Sequence, residues 1–351
     1  MSLYEQRLSA DLDALRKGVV QLGGRVRTGL ESSVQALLTQ DQNLAYRTII
    51  GDNPINRETE HLQAQCHRFI AKHLPSAGHL RFISAVLRMV VHLERMGDYA
   101  VTIAREAAKM GTPLTGPFRA EVEAMARDSF EMLGQALEAF EKNDEALARG
   151  TMGYAAQVDR DFLLAFNMLT ENDADTLDNA ELFARLVIIM QIERVSDQAK
   201  NLCEHVVFAV TGKTKQRRPV RIAILSTGSD QLGPLATAIA RRHLEGRAVV
   251  SSAGTEPSDA LDPTVRLFMD DRGLLDENSQ PGVIDWAPET WSTFDVLITL
   301  NSDVSAFVDD VPFHTVSFRW DVTVDDVTEA YAVLYDELDR LVNVMRGPAA
   351  E

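Results

Sequence analysis

The sequence predicts two units of different class: an all-α helical bundle over residues 1–213 and an α/β domain with a parallel sheet over 219–351. Three observations predict this division. Amphipathic stretches with apolar residues at i, i+3, i+4 and i+7 run almost unbroken to about residue 210, with proline only at Pro54, Pro75, Pro113 and Pro117. After Pro219 the pattern turns to short β-branched runs alternating with helical stretches, the pattern of strands linked by crossover helices. The charge divides at the same place: residues 1–218 hold 26 Lys/Arg against 29 Asp/Glu, whereas 219–351 hold 9 against 23 and no lysine.

Taken in order, the first unit reads as six helices, over about 3–40, 43–73 (running on past Pro54), 76–110, 116–142, 144–170 and 177–211. The third carries the clearest stripe: Phe82, Ala85, Val86, Met89, Val90, Leu93, Met96 and Gly97. Several exceed 25 residues, which predicts a bundle with coiled-coil-like packing. Thr211–Arg218 (TGKTKQRR) is polar and basic, and 214–218 is expected to be a linker. Beyond it, strands are expected at 220–225 (VRIAIL), 248–251 (AVVS), 296–300 (VLITL) and 315–318 (TVSF). Helices are expected at 234–243, 263–273 and 326–346, the last packing Val327, Ala330, Val333, Leu334, Leu338 and Leu341 inward.

Composition narrows the function classes. The 351 residues are 45% hydrophobic and 25% charged, a soluble globular balance. A net charge of −17 disfavours nucleic acid and anionic lipid as partners. No apolar run approaches the roughly 20 residues of a membrane span, and the N-terminal stretch is not a signal peptide. The two cysteines, Cys66 and Cys203, fall on apolar helix faces, fit a reducing cytoplasm and are expected in the core.

One pattern occurs twice. Leu93-Glu94-Arg95-Met96-Gly97-Asp98 is matched by Ile192-Glu193-Arg194-Val195-Ser196-Asp197, 99 residues later. An upstream match between Asn43–Ala45 and Glu145–Ala148 is looser, at an offset of 103. The long period predicts two duplicated three-helix units rather than a solenoid. Each copy sets Glu and Asp at i and i+4, on one helix face, where like charges repel by a few tenths of a kcal/mol or more. Two solvated surface acids would explain one such pair. Two pairs at matching repeat positions on apolar helices point to a compensating cation, and all-oxygen donors suit a hard one.

On these residues the first unit resembles the PhoU proteins, regulators of phosphate uptake. The resemblance rests on ERMGDYAVTIA at 94–104, ERVSDQAKNLCEHV at 193–206, the closing TGK at 211–213, Asp52 with Ile55-Asn56, and Pro75 through Leu80-Arg81. It implies a six-helix fold of two three-helix bundles and, on the acidic motifs, multinuclear iron or zinc clusters. Carried over residue by residue, the implied ligands are Glu94, Asp98, Glu193 and Asp197. The partner motif of the preceding helix, acid-x-x-x-Asp, supplies Asp52 in the first repeat and Asp159 in the second. The remaining positions of that motif hold Asn56 and Ala155, and Thr102 stands where the second run keeps Asn201. Each site is therefore left three carboxylates, enough for a divalent or trivalent ion with water or Asn56 completing the shell. Iron, zinc, manganese and magnesium all accept such donors.

The second unit resembles the low-molecular-weight phosphotyrosine phosphatases and related arsenate reductases. The evidence is VRIAILSTGSDQLGPLATAIA at 220–240, SSAGTEP at 251–257 and DVLITL at 295–300, in that order. Such enzymes place a Cys-x5-Arg loop between the first strand and helix. Here Ser226 stands at the cysteine position and Leu232 at the arginine position. A serine hydroxyl without a paired base is a far weaker nucleophile than a thiolate, and leucine cannot clamp phosphoryl oxygens. Asp230 adds a charge that opposes an incoming phosphate, and Asp321, the nearest match to the general acid, lacks the usual following proline. The domain is expected to be catalytically dead.

The expected function is therefore non-enzymatic regulation of phosphate uptake and phosphate-responsive signalling. The resemblance implies contacts with a phosphate-transporter ATPase and a sensor histidine kinase, a homodimer, and negative regulation. Two rival readings fit the same residues. One is a phosphatase or arsenate reductase with the bundle as regulatory arm, and the other a metal-storing bundle. His243 and His314 are expected to be isolated, and Asp309-Asp310 and Asp325-Asp326 to be solvated or helix starts.

Overall fold

A computed structural model describes residues 3–171, 178–213, 218–256, 258–275, 279–281, 287–309, 311–312, 315–323 and 325–347. The chain folds as two units, Met1–Lys215 and Gln216–Glu351. Apart from Arg218, the expected linker lies outside the described residues, as do Pro257, Asp310 and His314.

The first unit comprises α1 (Leu3–Thr39), α2 (Gln42–His73), α3 (Ala77–Lys109), α4 (Gly116–Lys142), α5 (Glu145–Met152), α6 (Ala155–Glu171) and α7 (Asn179–Thr211). Local chemistry sets the boundaries. Asp41, Asp144 and Asp178 cap α2, α5 and α7 by accepting the N–H of Leu44, Leu147 and Glu181. Helix α7 stops at Gly212, whose φ of 76° is left-handed and cheap only for glycine. Pro54 sits inside α2 without ending it.

The expected helix over 144–170 is not continuous. It breaks at Gly153-Tyr154 into α5 and α6, so the described residues of this unit hold seven helices rather than six. The cause is local. Gly150 and Gly153 flank a buried Thr151, whose hydroxyl bonds the Leu147 carbonyl and Gln135, and the Gly153 N–H turns back to the Gly150 carbonyl. Two glycines in four residues lower the cost of leaving the helix.

Within the unit, α1–α3 pack together, α4–α7 pack together, and α3 on α7 and α1 on α4 join the two halves. The stripe expected on α3 is buried from Phe82 to Gly97. Cys66 and Cys203 are buried in the same core, and burial pushes both thiols up to about 12.

The second unit is a four-stranded parallel sheet of β1 (Val220–Gly228), β2 (Ala248–Glu256), β3 (Val296–Leu300) and β4 (Val316–Trp320), in the order β2-β1-β3-β4. Ile222, Ile224, Val296 and Ile298 pack on one face against Leu235 and Ile239 of α8 (Leu232–His243), Val265 of α9 (Pro263–Asp271), and Leu334 and Leu338 of a C-terminal helix, Val327–Arg346. Ala223, Leu225 and Leu297 pack on the other face against Phe294, Val308 and Trp291 of α10 (Pro288–Trp291), so the C-terminal helix is α11. Burial on both faces is why β1 and β3 read as nearly continuous apolar runs. Asp326 caps α11, and His243 packs against two tyrosines: Tyr331 Oη lies 3.2 Å from its Nε2 and Tyr335 meets its ring edge-on. No helix among the described residues is long and apolar enough to cross a membrane.

Candidate functional site

The acidic motifs fall where two helices of one repeat face each other. In the first repeat, α3 carries Glu94 and Asp98, and α2 brings up Asp52 and Asn56. Gly97 permits this approach, since a Cβ there would lie 3.0 Å from Asp52 Oδ1. Asn56 Nδ2 donates to Asp52 Oδ2 at 2.7 Å. Asp52 Oδ1 and Asn56 Oδ1 are buried and have no hydrogen-bond partner. Burial, then the neighbouring Asp98 and Asp52, raise the Glu94 carboxyl. Burial, then Asp52, raise Asp98. Arg95 and Arg105 oppose these shifts only in part, so like-charge repulsion adds to the cost of burial.

The second repeat repeats the arrangement on α6 and α7. Burial, then Asp197 and Asp159, push the Glu193 carboxyl up to about 7. Ala155, buried at the start of α6, offers no donor. A further acid pair, unforeseen in the sequence, lies between α6 and α4: Asp161 is buried and bonded by Gln157 and, after burial, is the second cause of the raised Glu121 carboxyl. The pair joins α6 to α4 across 40 residues and shares no motif, so sequence spacing does not reveal it.

The structure thus brings Asp52, Glu94 and Asp98 into one electrostatic neighbourhood and Asp159, Glu193 and Asp197 into another. It does not close either set: among the described residues, no three His, Cys, Asp or Glu side chains are gathered to hold one metal ion. The donor chemistry nonetheless fits an oxygen-preferring cation, because Asp52 Oδ1 and the neighbouring Asn56 Oδ1 are buried acceptors with nothing to accept from.

Glu193 carries a testable consequence. In metal-free protein the folded form keeps this proton to about 7, above the ordinary carboxylate value of 4.5. The folded state then binds more protons than the unfolded state across that interval, so stability falls as pH rises through it. Glu193→Gln cannot ionise and is expected to flatten this slope. Urea midpoints from far-UV circular dichroism between about pH 5 and pH 8 measure it. Parallel slopes in parent and variant would contradict the assignment.

At the join of the repeats, His92 of α3 and His205 of α7 meet Nε2 to Nε2 at 3.0 Å. Gln198 Oε1 accepts from His92 Nδ1 at 2.6 Å, so the His205 Nε2–H is the donor of the pair. Burial, with His92 and Arg88 adding to it, lowers His205 to about 4. The two are 113 residues apart, off the repeat offset, and no motif marks them.

In the second unit the end of β1 and the loop that follows it are occupied by their own hydroxyls. Ser226 Oγ donates to the Gly228 carbonyl at 2.6 Å, so a carbonyl and not an N–H faces the would-be nucleophile. Ser229 Oγ accepts the Ser258 N–H at 2.8 Å. Leu232 is 6% exposed and packs into the core beneath α8. Asp321 is exposed and paired with Arg319.

The PhoU domain model matches residues 19–107 and again 122–206. The two stretches begin 103 residues apart and end 99 apart, the same two offsets as the internal repeat. The phosphate-specific transport system accessory protein PhoU of Escherichia coli (strain K12) is 29% identical over 208 residues, 59% of this chain and 86% of that protein. The crystal structure of PhoU from Pseudomonas aeruginosa aligns at 29% identity with a TM-score of 0.56, covering 58% of this chain and 99% of that one. An arsenate reductase structure from Archaeoglobus fulgidus covers 35% of this chain and 98% of its own at 19% identity, with a TM-score of 0.28.

Proposed function

For a chain whose first unit carries the PhoU domain twice, we propose a regulatory role in phosphate uptake, exercised through protein contacts rather than turnover. The observation that carries this reading is the doubled domain match, supported by relatives named as accessory proteins of phosphate-specific transport. The proposed partners are the ATPase of a phosphate transporter and a sensor histidine kinase, both met in the cytoplasm, with the chain acting as a dimer that restrains uptake. Helices of 27 to 37 residues supply long contact faces for such partners.

A divalent or trivalent metal ion, iron or zinc first among the candidates, completes the proposal. Asp52, Glu94 and Asp98 would hold it in the first repeat, and Asp159, Glu193 and Asp197 in the second. Its charge would relieve the carboxylate repulsion and draw α2 to α3 and α6 to α7. A cation added near pH 8 is then expected to raise the melting temperature of the parent more than that of Glu193→Gln.

Deletion of the gene tests the regulatory reading. Uptake of labelled phosphate and expression of phosphate-responsive genes are expected to rise when phosphate is plentiful, and the full chain supplied in trans to restore both. A deletion strain indistinguishable from its parent would end this reading.

A further inference from the structure

A polar cluster interrupts the apolar contact of α3 with α7, the contact that joins the two repeats. Its members are His92 of α3 and Gln198 and His205 of α7. Around it Leu93, Ala199, Leu202 and Val206 are buried. Gln198 and His205 are seven residues apart, so two turns and roughly 10 Å of helix separate them on one face. His92 fills that span. Its Nδ1 meets Gln198 Oε1 at 2.6 Å, and its Nε2 meets His205 Nε2 at 3.0 Å. The ring planes lie within 28° of each other and the centroids are 5.1 Å apart, so the rings face one another through their Nε2 edges.

Two features point to a bound metal ion. The first is the fixed tautomer of His92. Gln198, only 9% exposed, holds the Nδ1–H, which leaves the Nε2 lone pair aimed at His205. Metal-ligating imidazoles are held by such an outer partner on their second nitrogen. The second is the meeting of two Nε2 atoms from different helices, with a single proton between them. A tetrahedral zinc, with Zn–N bonds of about 2.0–2.1 Å, sets two ring nitrogens about 3.3 Å apart, so parting these rings by about 0.3 Å admits it. Both rings are half-buried, which leaves a path from solvent. Burial lowers His205 to about 4, so near neutrality the ring is uncharged and ready to ligate. Arg88 beside His205 and Arg95 beside His92 add positive charge, and Glu204 beside His92 opposes it.

We propose that His92 and His205 bind one nitrogen-preferring divalent ion of the zinc and copper class, and that this ion ties the two repeats together. Both rings ligate through Nε2. His205 moves its proton from Nε2 to Nδ1 through solvent and stays neutral. Among the described residues no third His, Cys, Asp or Glu joins the pair, so water takes the remaining positions. The site differs in kind from the carboxylate sets. Those offer oxygen, which suits Mg2+ as well as transition metals, whereas imidazole selects the transition metals. The inference stands independently of the regulatory reading.

Isothermal titration calorimetry of the full chain, stripped by a chelator and then held in excess Mg2+ to fill the oxygen sites, tests this with Zn2+. Saturable Zn2+ binding is expected. Gln198→Ala, which removes only the outer partner, should weaken it by about tenfold or more. His205→Gln, which removes a ligand, should weaken it further. Glutamine keeps an N–H toward His92, so this variant is expected to fold, and His92→Gln reads the same loss from the other helix. Cu2+ in place of Zn2+ adds a signature that depends on no variant: its electron paramagnetic resonance spectrum should show coupling to two imidazole nitrogens in the parent. Three results would overturn the proposal: no saturable Zn2+ binding in Mg2+, the same Zn2+ affinity in the parent and in folded histidine variants, or a Cu2+ spectrum without the nitrogen pair.

Discussion

Gly254→Ala is expected to destabilise the second unit by about 3 kcal/mol, the upper end for overpacking, with little effect on the helical unit. Gly254 lies near the end of β2, in register with Ser226 of β1. A Cβ there would stand 2.6 Å from the Ser229 nitrogen, 2.7 Å from the Gly228 carbonyl carbon and 2.9 Å from the Ser229 Cα. These are backbone atoms of the loop that leads into α8, so no rotamer change removes the clash. Either β2 slides in register or the loop is forced off the strand end, breaking the Ser258–Ser229 bond. All three tryptophans lie beyond residue 219, and Trp291 is buried, so tryptophan fluorescence reports this unit alone. In urea its midpoint should fall by about 1–2 M, while the far-UV helical signal keeps its own transition. An unmoved fluorescence midpoint would mean that the loop is not seated on β2 as described.

The second large effect concerns the loop's chemistry. Restoring the two missing enzymatic residues, by Ser226→Cys with Leu232→Arg, is expected to yield no hydrolysis of p-nitrophenyl phosphate and a less stable unit. Leu232 now belongs to the core, among Leu235, Ile239 and Val296. A guanidinium at that position would be a buried charge without a partner, costing about 3–5 kcal/mol. Ser226 has also turned toward the Gly228 carbonyl, whose partial negative charge opposes a phosphate oxyanion. Ser226→Cys alone is nearly isosteric and should fold, and it too is expected to leave the substrate intact. Turnover by either variant alone would show that the cradle survives with its chemistry lost, and turnover by the parent would return the unit to the enzymes.

Much of this architecture was legible in the chain because apolar periodicity is a local property. The stripe on α3 and the apolar runs of β1 and β3 emerge as buried surfaces with ends shifted by a few residues. The break at Gly153 was hidden because the periodicity continues through it, and only the small energetic cost of two glycines decides the matter. The site residues divide along the same line. Glu94, Asp98, Glu193 and Asp197 sit at i and i+4 and announce themselves. His92 with His205 and Asp161 with Glu121 meet only through helix packing, which no spacing in the sequence encodes.

The interruption between α5 and α6 also makes the two halves of the bundle unequal in cooperativity. In the first repeat, α2 is one run of 32 residues that loses a single ladder bond at Pro54, so a turn that frays at one end is coupled to the turns behind it. In the second, α5 and α6 have 8 and 17 residues and are joined across Gly153-Tyr154 by tighter turn bonds, such as Tyr154 N–H to the Thr151 carbonyl, in place of the α-helical ladder. A local opening that starts in α6 can stop there, leaving α5 docked on α7. The second repeat can thus release its Asp159-bearing segment as a small unit of its own, at less free energy than the first needs to release Asp52.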